Sequence, residues 1–213
     1  MIKTDTPACV LFDFDGVCAD TERYGIELDR EVYELYGINP TREEMQSLVG
    51  TTGLESIPAL FRKYGLTVTA QEFFAKRRDN TCIYRDFPLE AEPGLIGVLA
   101  DLRARRIPIG LVSTTAASSI FFALDRLHLA SSFDVIVTGD MCERHKPEPD
   151  PYLLALRLLN KDAKDSIAVE DSPVGIHAAK AAGLYVMGYR GASIKQDTSE
   201  ADEQLEGFVA FRV

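Results

Sequence analysis

Cysteine, histidine and basic residues are scarce in this 213-residue chain, and each shortage removes a class of function. The four cysteines, Cys9, Cys18, Cys82 and Cys142, are scattered and form no CxxC pair. That spacing argues against a zinc site and a disulfide framework, and it fits reduced thiols in a cytoplasm. Lys and Arg number 23 against 33 Asp and Glu, and the net charge of −10 repels nucleic acid and anionic membrane alike. No apolar run approaches the roughly 18 residues that a membrane span requires. The chain does not open on a basic segment followed by a long apolar stretch, so no secretion signal is read. Internal repeats and low-complexity tracts are also missing. What is present is ample for folding: 46% hydrophobic residues support a real core in one or two domains.

Residues 21 to 87 read as helix after helix. Tyr24, Leu28, Val32 and Leu35 recur at helical spacing, and Gly37 with Asn39-Pro40 ends that helix. Thr41 to Glu44 and Thr69 to Glu72 each have the form of a capping box. Between them Leu54, Ile57, Leu60, Phe61 and Tyr64 mark another apolar face, stopped by Gly65. From Pro88 the character changes. Short apolar runs, Ile107 to Val112, Asp134 to Val137, Ser166 to Val169 and Leu184 to Gly188, alternate with helical patterns. Those helices carry Leu95, Val98, Leu99 and Leu102; Ile120, Leu124 and Leu127; Leu153, Leu156 and Leu159; then Ile176 and Ala179. Near-continuous apolar strands separated by helices predict a parallel sheet covered on both faces. The first strand, Ala8 to Asp13, belongs with these. The expectation is an α/β, Rossmann-like parallel-sheet core of residues 1–17 and 89–213, with a helical cap inserted over 18–88. Phe208 to Phe211 is expected as a short edge strand.

Ligands of an open parallel sheet bind beyond the carboxyl ends of its strands. Those ends carry Asp13, Asp15 and Gly16; Ser113, Thr114 and Thr115; Thr138, Gly139 and Asp140; and Glu170, Asp171 and Ser172. A loop after the third of them adds His145, Lys146 and Pro147. Residues two apart on an extended chain point to one side, so Asp13 and Asp15 face together. Two unpaired carboxylates inside a dry sheet would be very costly. They are tolerable where the strand emerges into a cleft and a cation offsets them. With Asp171 converging, the oxygen-rich site suits Mg²⁺, which takes carboxylates, water and phosphate.

These residues resemble the four motifs of the haloacid dehalogenase superfamily, in its phosphatase and phosphomutase branch with an inserted helical cap. The motifs are Asp13-x-Asp15-Gly16-Val17, Ser113, Lys146-Pro147, and Glu170-Asp171 followed by Ser172-Pro-x-Gly175. The resemblance spans about Ala8 to Gly188 and leaves the tail unaccounted for. It implies that Asp13 is a nucleophile forming an aspartyl-phosphate and that Asp15 is the general acid and base. Ser113 and the amide of Thr114 would hold phosphate oxygens, and Lys146 would offset charge on Asp13 and the phosphoryl group. Mg²⁺ would be held by the carboxylates of Asp13 and Asp171, the backbone carbonyl of Asp15, and Glu170 directly or through water. His145 and His177 are expected to be structural or exposed, and Cys18 a small packing residue.

Asp15 disfavours the dehalogenases and phosphonate hydrolases of the superfamily, which lack an acid at that position. Hydrolysis is favoured over transfer of the β-phosphoglucomutase type. That branch carries a cap histidine twelve residues after the nucleophile, where this chain has Gly25, and cations around a loop that here reads Leu48 to Gly53 without them. Arg77 and Arg78 match a basic stretch of the mutase cap, yet the run Lys76 to Asp79 is read first as an exposed helical face. The expected function is a Mg²⁺-dependent phosphomonoester hydrolase of a small phosphorylated metabolite in the cytoplasm. Thr51, Thr52 and Arg78 are its candidate cap contacts. A phosphomutase, or a non-catalytic regulator that binds a phosphorylated metabolite, are the alternatives.

Overall fold

A computed structural model describes residues 6–49, 51, 53–78 and 82–213, with the backbone alone of Arg78. Its sheet holds six parallel strands in the order β3-β2-β1-β4-β5-β6. They are β1 (Val10–Phe12), β2 (Ile109–Val112), β3 (Val135–Val137), β4 (Ile167–Glu170), β5 (Tyr185–Tyr189) and β6 (Glu203–Leu205). The central strand, β1, pairs with β2 on one side and β4 on the other. Side chains alternate between the two faces, as the period of a strand requires. Val10 and Phe12 join one core cluster with Ile109, Leu111, Ile167 and Val169, while Leu11, Val112 and Ala168 join the other. Helices α6 (Leu95–Ala104) and α7 (Ala117–Arg126) cover the first face; α8 (Asp150–Leu159) and α9 (Pro173–Ala181) cover the second. The strands are therefore buried on both sides, the condition that makes them read as unbroken apolar runs.

Between β1 and α6 lie only helices among the described residues: α1 (Glu22–Leu35), α2 (Arg42–Gln46), α3 (Ser56–Lys63), α4 (Ala70–Arg78) and α5 (Ile83–Asp86). The first four bury a cluster of their own, in which Tyr33 lies 5.1 Å from Phe61 and 4.8 Å from Phe73, centroid to centroid. Both capping boxes form. The Thr41 hydroxyl accepts from the Glu44 amide while Glu44 returns a bond to the Thr41 amide, and Thr69 and Glu72 repeat the exchange. The apolar stripes end sooner than their spacing implies. Leu35 and Leu54 are exposed, because the cluster closes over Tyr33 and Ile57 instead, and Leu153 gives way to Tyr152 on α8.

The tail departs from expectation. Phe208 to Ala210 forms a 3₁₀ turn, and the edge strand is β6, five residues earlier by its first residue. Phe208 and Phe211 both pack on Phe12, at 6.0 and 6.2 Å between centroids. Residues three apart share one side of a 3₁₀ turn but fall on opposite faces of a strand, so burying both rings in one cluster selects the turn.

Candidate active site

Asp13 stands one residue past β1, its amide still donating to the Val169 carbonyl at 3.0 Å. The chain then turns at Gly16, whose φ is +77° and where a Cβ would come within 2.1 Å of Asp171 Oδ2. Only glycine suits both the turn and that approach. Asp171 follows the last residue of β4, Glu170, which is wholly buried. A Cβ at Gly175 would lie 2.1 Å from the Glu170 carboxylate, so α9 can begin there only with glycine against it. Two neighbouring strands and two glycines thus bring the acids of the first and fourth motifs together. One oxygen each of Asp13, Glu170 and Asp171 lie within 4.8 Å of one another, all buried.

Lys146 reaches into this group from the loop before α8. Its Nζ donates to Asp13 Oδ1 and Glu170 Oε1, both at 2.6 Å, and to the Val112 carbonyl at 2.9 Å. Burial alone would depress the lysine's pKa, but the two carboxylates outweigh it and hold the ammonium above its ordinary value. Burial pushes the Asp13 carboxyl up, Lys146 pulls it back, and Glu170 and Asp15 push it up again. The Tyr152 hydroxyl donates to the same Glu170 oxygen at 2.5 Å. Three acidic side chains face one ammonium in a nearly dry site, a formal deficit of positive charge. An oxygen-only donor set with that deficit fits a hard divalent cation such as Mg²⁺.

Asp15 lies in the same cleft but in different company. Its Oδ1 accepts from the Thr21 hydroxyl at 2.7 Å and the Tyr84 hydroxyl at 2.8 Å, and its Oδ2 from Thr115 at 3.0 Å. Thr21 precedes α1 and Tyr84 lies on α5, so both segments that join the helical block to the sheet meet at this carboxylate. Of these partners, Thr115 was visible as a polar residue at a strand end. Tyr84, Tyr152 and Gln196 were not, because each arrives from an element whose own pattern gives no sign of the site. Gln196, in the tail, donates through Nε2 to Asp171 Oδ2 at 2.7 Å.

Ser113 is buried, and its hydroxyl accepts from the Thr115 amide at 3.0 Å, shaping the turn where Thr114 and Thr115 line the cleft. It does not cap α7. That helix is met by Asp140, whose Oδ1 accepts from the Ala117 amide at 2.9 Å and from the Thr138 hydroxyl at 2.7 Å. Asp140 therefore leaves the rim for a capping role. His145 and His177 are exposed. Cys18 is buried and donates its thiol to the Asp13 carbonyl at 3.1 Å. All four cysteines are free thiols.

The helical block forms the other wall of a cleft of about 330 Å³. Thr51 lines it, its hydroxyl bonded to the Leu48 carbonyl at 2.7 Å and to Ser56 at 2.9 Å. Thr52 and the side chain of Arg78 lie outside the described residues. Arg77 is not on an exposed face. It lines the cleft, with Nε 2.9 Å from Asp29 Oδ1 as an ion pair and Nη2 donating to the Gly25 carbonyl at 3.5 Å. A Cβ at Gly25 would meet that Nη2 at 3.1 Å, so the glycine leaves room for the guanidinium. Helical spacing missed this because Arg77 is turned inward by a partner on α1, forty-eight residues earlier. Burial raises Asp29 to about 6 against the pull of Arg77. Burial, aided by Asp15, raises Glu22 to about 7.

Fold and site together define an α/β enzyme with a carboxylate-lined cleft between a parallel sheet and a layer of helices. Residues 10–189 match the haloacid dehalogenase-like hydrolase family. A phosphorylated carbohydrates phosphatase of Thermotoga maritima is 34% identical over 177 residues, covering 82% of this chain and 81% of its own. The β-phosphoglucomutase of Bacillus subtilis is 30% identical over 186 residues, with coverages of 84% and 81%. The crystal structure of CbbY from Rhodobacter sphaeroides in complex with phosphate matches with a TM-score of 0.77 at 27% identity, covering 96% of both chains. The chain belongs to the haloacid dehalogenase superfamily, in its phosphatase and β-phosphoglucomutase-like branch, and is a hydrolase of that family.

Proposed function

We propose that the chain is a Mg²⁺-dependent phosphomonoester hydrolase that acts on a small phosphorylated metabolite, a sugar phosphate or a similar compound. The observation that carries this reading is the buried group of Asp13, Glu170 and Asp171 with Lys146 on the Asp13 carboxylate. In this reading residues 1–17 and 89–213 are the catalytic core, and 18–88 the cap that excludes water from the cleft. The carboxylates of Asp13 and Asp171 and the backbone carbonyl of Asp15 would hold the cation. Glu170 gives Oε1 to Lys146 and Tyr152, while Oε2, which accepts only a long 3.5 Å bond from the Ser172 hydroxyl, would face the cation or a water on it. Bound there, Mg²⁺ supplies positive charge that stabilises the phosphoryl oxygens and lowers the proton affinity of Asp13.

The chain's own groups do the rest. An Asp13 carboxylate oxygen bonds to phosphorus as the bond from phosphorus to the ester oxygen breaks, and Asp15 gives its proton to that leaving oxygen. Water then attacks the phosphorus of the aspartyl-phosphate, Asp15 takes the water's proton, and the Asp13 carboxylate is released with inorganic phosphate. The side chain of Lys146, and the turn shaped by Ser113 that presents Thr114, neutralise and hold the phosphoryl oxygens. Transfer of the β-phosphoglucomutase type is not favoured, because Gly25 offers no side chain and Arg77 is already paired with Asp29.

Purified protein with Mg²⁺ is expected to release inorganic phosphate from members of a panel of small phosphomonoesters, and Asp13→Asn to abolish the release. EDTA is expected to stop turnover. Release that survives EDTA would overturn the cation assignment, and conversion of β-glucose 1-phosphate to the 6-phosphate, primed by the bisphosphate, would overturn hydrolysis.

A further inference from the structure

Asp171 is held from two sides. On one, the backbone of Gly16 comes so close that a Cβ there would lie 2.1 Å from Oδ2. On the other, the amide of Gln196 donates to the same oxygen at 2.7 Å. The other end of that amide, Oε1, is buried with no hydrogen-bond partner among the described residues. A buried acceptor without a donor is a standing cost.

The segment that delivers Gln196 is anchored. Ala192, Ile194 and Thr198 are buried. Thr198 donates to Gln204 Oε1 at 2.5 Å, and Gln204 Nε2 returns a bond to the Thr198 carbonyl at 2.7 Å. Beneath it Gly188 of β5 admits Thr198, since a Cβ there would come within 2.8 Å of the threonine's own. The segment from Ala192 to Gln204 lies beyond residues 10–189, so the family match does not include it.

We infer that Gln196 is a positioning residue of the cation site, which orients the Asp171 carboxylate for a divalent ion; the inference rests on the Mg²⁺ assignment proposed above. Groups that hold a ligating side chain typically change metal affinity by about 10–100-fold when removed. Calorimetric titration of MgCl₂ into wild-type protein, Gln196→Ala and Gln196→Met tests it. The methionine keeps the volume without the amide. Both variants are expected to bind Mg²⁺ about 10–100-fold more weakly, with an unchanged circular dichroism spectrum and the wild-type melting temperature in EDTA. Wild-type affinity in the variants, with or without a lowered melting temperature, overturns the inference alone. A wild-type protein that binds no Mg²⁺ overturns the cation assignment itself, and the inference with it.

Discussion

Lys146 sits between two carboxylates that would otherwise share one buried site, and its ammonium is almost closed to solvent. Removing one partner of a buried ion pair leaves the other charge uncompensated, at a cost of about 3–5 kcal/mol. Lys146→Met is therefore expected to lower stability by that amount in urea unfolding and to abolish phosphate release. Adding Glu170→Gln should restore part of the stability and none of the activity, which separates charge balance from chemistry. Glu22 supplies a pH-dependent case. Its pKa rises from 4.5 to about 7 on folding. The native state therefore keeps a proton that the unfolded chain has already released, and stability falls as pH rises through that window. The loss at about pH 8 is about 1–3 kcal/mol. Glu22→Gln should be near neutral at about pH 4 and stabilising by that amount at about pH 8, measured by urea unfolding in EDTA.

At the level of elements, the shortest α-helix among the described residues, α5, has a distant anchor. Arg126, at the end of α7, donates to the carbonyls of Tyr84, Arg85 and Phe87 at 2.6, 3.2 and 3.0 Å. A cation at the carboxyl end of a helix meets both its free carbonyls and its dipole. Four residues form no stable helix alone, so α5 depends on this contact. Tyr84 rides on α5, and with it the hydroxyl on Asp15. Arg126→Ala is expected to cost about 1 kcal/mol overall. Amide exchange should accelerate at residues 83–87 while β1 and β4 keep their protection, and kcat should fall with Asp15 less firmly held. Uniform acceleration across the sheet would show that the arginine supports the whole fold and not this one segment. Nothing in the local sequence of α5 announced the anchor. Its partner lies about forty residues on.

At the level of the whole molecule, the tail is part of the core. Leu205, Phe208 and Phe211 are buried, and the Phe208 ring stacks on Tyr189 at 4.6 Å between centroids. Burying three such side chains contributes roughly 5–9 kcal/mol, most of the stability an ordinary domain possesses. Truncation after Tyr189 should yield a chain without a cooperative thermal transition, followed by circular dichroism, even though residues 10–189 contain every family motif. The same tail carries Gln196 to Asp171, so fold and site draw on it together.

The sequence alone determined the parallel sheet, the helical insertion and the acids at the strand ends. Those features are written in short-range signals: the alternation of apolar runs with helical spacing, the caps, and aspartates and glycines placed where a strand stops. Tertiary structure alone decided that Tyr84, Tyr152 and Gln196 hold the carboxylates of the cleft, that Arg77 turns inward over Gly25, and that Asp140 caps a helix instead of lining the rim. The reason is physical. A carboxylate buried beside others must find donors wherever the packed chain can offer them, and which residues those are depends on elements meeting across sequence separations that no local pattern spans.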